Sequence, residues 1–177
     1  MIKSFTALAL AIATAFAPVA AQAKGTFQDH INLAEAVKAN GVALYINPPA
    51  CFAEGAPMGW YSGRNRTLVV CQDNAVNETQ VTWTANDLDT LRHEAQHMIQ
   101  DCMVGSNHDH QLGSVYKDPV GFALSILGQQ RAQEIVNLYL SNGANDHVLV
   151  LELEAFAVAE LNNPLEQVQD LKNYCGA

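Results

Sequence analysis

From Phe27 to Asn40, apolar residues recur at helical spacing (Ile31, Leu33, Ala34, Ala36, Val37), and Asn40-Gly41 supplies a stop. Val42 to Asn47 reads as a strand ended by Pro48-Pro49. Met58–Tyr61 and Thr67–Cys71 read as two more strands, with turn chemistry at Ser62-Gly63-Arg64-Asn65 between them. Val81–Trp83 is a further edge segment. Beyond Thr84 the period changes to that of helices. One helix spans Asp87 to Met103. A second opens at Asp118-Pro119, runs past Gly128 to Leu140 and is stopped by Ser141-Asn142-Gly143. A third, capped by Asn145 or Asp146, reaches Leu161, and Pro164 opens a last one toward Tyr174. Strands first and helices after predict an α+β fold, with a small antiparallel β-hairpin region followed by a helical half.

Residues 1–23 follow a different logic. Lys3 is the single charge, an Ala/Leu-rich run follows, and Ala21-Gln22-Ala23 closes it. That order predicts a secretory signal cleaved after Ala23, and hence a secreted or periplasmic protein. No repeat or low-complexity linker interrupts residues 24–177, which read as one domain. The 177 residues carry a formal charge of −9 with no basic cluster, which argues against nucleic acid as a partner. Beyond the leader, no apolar stretch approaches membrane-spanning length, so no membrane partner is expected after signal cleavage.

Cys51, Cys71, Cys102 and Cys175 all fall after the leader. An even count in an oxidising compartment predicts two disulfides, and the absence of C-x-x-C argues against a thiolate metal site. The preferred pairing joins Cys51 to Cys71, stapling the hairpin, and Cys102 to Cys175, tying the last helix to the end of a central one.

The chemistry concentrates in His93-Glu94-Ala95-Gln96-His97, an H-E-x-x-H sequence. At the chain's own His and Glu frequencies, about 0.01 occurrences are expected by chance. On a helix, His93 and His97 share a face and can bind one ion, while Glu94 beside them can take a proton from water. Leu88, Leu91, Ala95, Met98, Ile99 and Cys102 form an apolar stripe on the other side, so the histidines are expected to face a cleft or solvent.

A catalytic zinc needs a third ligand. The segment His147–Ala159 is apolar on nearly every side yet contains Glu152 and Glu154. A carboxylate buried there needs a charged partner or a metal. The two glutamates lie about 200° apart on the wheel, so only one can face the histidine pair. Asn107-His108-Asp109-His110 is a polar stretch with further ligand types. His147, Tyr116 and Tyr139 are candidate donors to a developing oxyanion, and none is singled out.

H-E-x-x-H followed by E-x-E-A-x-x-x-A on a later helix resembles the gluzincin branch of zinc metallopeptidases, over roughly Thr84 to Leu161. The resemblance implies a zincin-like fold holding one Zn2+ per chain, with His93, His97 and Glu154 as ligands and Glu94 as general base. It implies hydrolysis of a peptide or protein substrate. Glu152 is the alternative third ligand. The chain departs from the pattern at Phe156, where such families frequently carry an Asp that supports a ligand histidine. The rival expectations are a non-catalytic secreted module held by zinc and disulfides, and a hydrolase of cell-wall peptides.

Overall fold

Thr26 and Thr84 start two helices in the same way. Each hydroxyl accepts from the backbone N–H three residues on, and the Asp at that position, Asp29 or Asp87, accepts from the threonine N–H in return. These capping boxes begin α1 (Phe27–Ala39) and α2 (Ala85–Met103). Asp118 and Asn163, each followed by a proline in the first turn, cap α3 (Pro119–Ser141) and α5 (Pro164–Cys175), and α4 spans Asp146–Leu161. A computed structural model describes residues 25–105, 112–161 and 163–176. The expected leader therefore lies outside the described residues.

Three short strands, β1 (Ala43–Ile46), β2 (Gly59–Ser62) and β3 (Thr67–Val70), form one sheet in the order β1-β3-β2. β2 and β3 are the expected antiparallel hairpin, but β1 pairs with β3 in parallel. The sheet is thus mixed rather than antiparallel. After β1, Pro48-Pro49 turn the chain into a 3-10 segment (Pro49–Phe52) instead of a hairpin, and β3 returns beside β1 in the same direction. Val81–Trp83 forms no strand; Thr82 donates its N–H to the Gln72 side chain instead.

α2 lies at the centre, packed by α1, α4, α5, β2 and β3. Its Leu91, Ala95, Met98 and Ile99 join Leu33, Val37, Leu68, Val70 and Leu171 in the main core. Ala123, Ala132, Ile135, Leu153 and Ala157 form a second core between α3 and α4. The histidine face of α2, expected to meet a cleft or solvent, lines a cleft against α4, and the other buried polar groups of the helix are matched by partners. Arg92, 5% exposed, donates Nε to the Ala159 carbonyl, Nη1 to His30 of α1 and Nη2 to Asp89, while Gln167 of α5 donates to the Arg92 carbonyl. The buried guanidinium so links three helices, the Arg92 carbonyl adds the fourth, and the buried charge is hydrogen-bonded as it must be.

α3 does not run unbroken. Gly128 sits at φ 73° and ψ 163°, outside helical geometry and in a region open to glycine at little cost. Both expected disulfides are formed, Cys51–Cys71 and Cys102–Cys175. Among the described residues, no helix is long and apolar enough to cross a membrane.

Candidate metal centre

His93 and His97 stand one turn apart on α2, and their Nε2 atoms face each other at 3.1 Å. Glu152, from α4, closes the group. Its Oε2 lies 3.2 Å from His93 Nε2 and its Oε1 3.4 Å from His97 Nε2. These nitrogen and carboxylate donors all lie within 4.8 Å of one another. Burial disfavours charge on His97, but the Glu152 carboxylate outweighs it and holds the imidazole pKa up at about 9. The two histidines in turn hold the Glu152 carboxyl well below the usual carboxylate range despite its burial. The Glu152 carboxylate and the two imidazole Nε2 atoms thus converge on one point, where a cation can be held.

The donor set fits a divalent ion of borderline character. Two imidazoles and one carboxylate are a common catalytic zinc set, with a fourth position left for water. Glu152 Oε2 supports the fit: it is buried and makes no hydrogen bond among the described residues.

Hydrogen bonds fix which His97 nitrogen is available. Gln100 Nε2 donates to the Leu151 carbonyl and to Glu154 Oε1, each at 3.0 Å, so the amide can only be turned one way. Its Oε1 then faces His97 Nδ1 at 2.8 Å and accepts the proton there. Nε2 is left pointing at Glu152. His93 lacks such a partner. Its Nδ1 is buried without a hydrogen bond among the described residues, and the Phe156 ring lies against the imidazole with centroids 4.4 Å apart.

The group opens onto a cleft of about 230 Å³, lined by Gly59, Trp60 and Tyr61 of β2, by Leu112, and by Tyr139 of α3. Glu94 also lines it, 6% exposed. Burial raises the Glu94 pKa, the two histidines pull it down, and Glu152 pushes it up again. Gly59 permits this close stacking of β2 on α2. A Cβ there would fall 2.6 Å from Thr90 Cγ2, 2.7 Å from the Val69 carbonyl and 3.2 Å from Glu94 Cγ.

Glu154, the third ligand that the resemblance implies, is not at the histidine pair. It is fully buried, and its carboxylate accepts from Gln96, Gln100, the Ser114 hydroxyl and the Val115 and Tyr116 N–H groups. Two positions along α4 turn it away from the side that Glu152 presents. The alternative named from burial alone, Glu152, is the one beside His93 and His97. Of the donors considered, Tyr139 faces the site; burial and the adjacent Glu152 carboxylate push its hydroxyl above the ordinary tyrosine range. His147 donates to the Leu112 carbonyl, and Tyr116 stacks on Phe122. The His108-Asp109-His110 stretch lies outside the described residues.

Gln100 is the residue that the sequence did not flag. Its signal was available: a glutamine three residues after a histidine on a helix can reach that imidazole.

The profile of a family described as "Domain of unknown function (DUF8637)" matches residues 24–176, and the chain belongs to that family. No curated protein and no solved structure matches the chain significantly.

Proposed function

We propose that this chain is an exported zinc-dependent metallopeptidase of gluzincin type, with His93, His97 and Glu152 holding zinc and Glu94 as general base. Its main support is the convergence of Glu152 from α4 on the H-E-x-x-H pair of α2, inside a cleft that Glu94 also lines. Bound zinc supplies Lewis-acid polarisation of a carbonyl and lowers the pKa of water to about 7.

The chain's own residues then divide the work. Glu94, its pKa raised by burial, takes the proton of the attacking water and passes it to the leaving amine. Tyr139 offers a hydroxyl to the oxygen that gains charge. Among the described residues β2 pairs with β3 alone, so its other edge can add an extended peptide as a strand. The two disulfides agree with an oxidising compartment and with the expected leader.

One observation favours a second reading, a zinc held only for structure: each histidine is just 8% exposed. A zinc titration combined with a fluorogenic peptide library and isolated cell-wall peptides decides between them. Peptide hydrolysis that stops with chelator and returns with zinc supports the enzyme. One zinc bound with no cleavage of either substrate set supports the structural role.

A further inference from the structure

Gln100 and Glu154 lie behind the site rather than in it, and every polar atom they turn inward is used. Gln100 is completely buried. Its amide nitrogen spends both protons, one on the Leu151 carbonyl and one on Glu154 Oε1. A flipped amide would put oxygen against two acceptors, so the orientation is locked. Glu154 is locked in turn by donors on α2 (Gln96, Gln100) and on the 114–116 segment. An oriented oxygen on His97 Nδ1 fixes the ring plane and keeps the proton on that nitrogen. His93 has no equivalent among the described residues: its Nδ1 is buried without a hydrogen bond, and the Phe156 ring packs against its imidazole.

We infer that Gln100, clamped by Glu154, is the positioning residue for His97. It holds Nε2 toward the ion, and so the outer support of the centre rests on one histidine rather than on both. This rests on the zinc reading above. The glutamate that the sequence pattern points to keeps a role at the centre, acting through Gln100 and not on the metal.

The test uses Gln100→Met, which keeps the side-chain length and removes both the acceptor and the donors. Zinc affinity, read by chelator competition, should fall about 10–100-fold, as changes behind a metal ligand typically do. In the zinc-loaded protein, the imidazole 1H–15N spectrum should show a slowly exchanging His97 Nδ1–H that Gln100→Met abolishes. A residue that served packing alone would not move that signal. If Gln100→Met fails to fold, the zinc-loaded wild-type protein decides the matter: a His97 Nδ1–H that is absent or exchanges rapidly there would overturn the inference. Wild-type affinity within twofold and an unchanged Nδ1–H in Gln100→Met would overturn this inference alone. Absence of zinc binding by the wild-type protein would overturn it together with the proposed function.

Discussion

Glu152 Oε2 stands 3.2 Å from His93 Nε2, on a helix separated from α2 by the whole of α3. Its neighbour Glu154 meets five donors instead and touches neither histidine. The two carboxylates should therefore respond differently to removal of charge. Glu152→Gln deletes a donor to the ion and should lower zinc affinity by more than the roughly 100-fold at the upper end for outer positions. Glu154→Gln should stay within about 10–100-fold. Competition titration of both variants gives the ranking, and the reverse order would return the third ligand to Glu154.

That ranking could not be read from the sequence. α4 is apolar on almost every side because α2 packs one face and α3 another. No amphipathic stripe sets its rotation, so pattern alone leaves Glu152 and Glu154 equivalent. By contrast, the H-E-x-x-H helix, both disulfide pairings and the succession of five helices were legible, because caps, prolines and local spacing specify them. The parallel pairing of β1 was not, since it depends on where the chain goes after Pro48-Pro49. The partners of Gln96, Gln100 and Arg92 were not legible either, because α4 supplies one for each from more than fifty residues away.

Gly59 is predicted to tolerate no side chain. The Cβ of Gly59→Ala would meet the Val69 carbonyl at 2.7 Å and Thr90 at 2.6 Å, so β2 must shift off α2. A loss of about 1–3 kcal/mol in denaturant unfolding is expected, in the range of overpacked cores. An unchanged midpoint would show that β2 has room to move.

Acid should weaken the α1–α2 contact. Burial depresses the His30 pKa below the ordinary 6.5, the Thr26 carbonyl at Nδ1 works the other way, and nearby Arg92 lowers it further. Below pH 6.5 the unfolded chain takes up a proton that the folded chain resists, so stability falls as pH falls through that value. Asp170, with its pKa raised by burial to about 6, acts in the opposite sense. The informative quantity is therefore the difference between wild type and His30→Gln. Melting curves from pH 7.5 to 5 should show a steeper acid loss in wild type, and parallel curves would refute the assignment.

Loss of Cys102–Cys175 should cost more stability than loss of Cys51–Cys71. The bridges join residues 73 and 20 apart in sequence. The chain-entropy account gives about 4.4 and 3.3 kcal/mol for loops of these sizes. Paired Cys→Ala variants, compared by urea unfolding, give the order. A larger loss for the shorter loop would mean that Cys51–Cys71 does more than restrict the unfolded chain.

Glu94→Gln tests the central claim most directly. The change leaves His93, His97 and Glu152 in place and removes only the proton acceptor that lines their cleft. Zinc stoichiometry and peptide hydrolysis are measured on the same preparations of wild type and variant. The expected result is about one zinc per chain in both, with hydrolysis in the wild type and a loss of at least about 100-fold in the variant. Hydrolysis retained by Glu94→Gln, or zinc lost along with activity, would contradict the account.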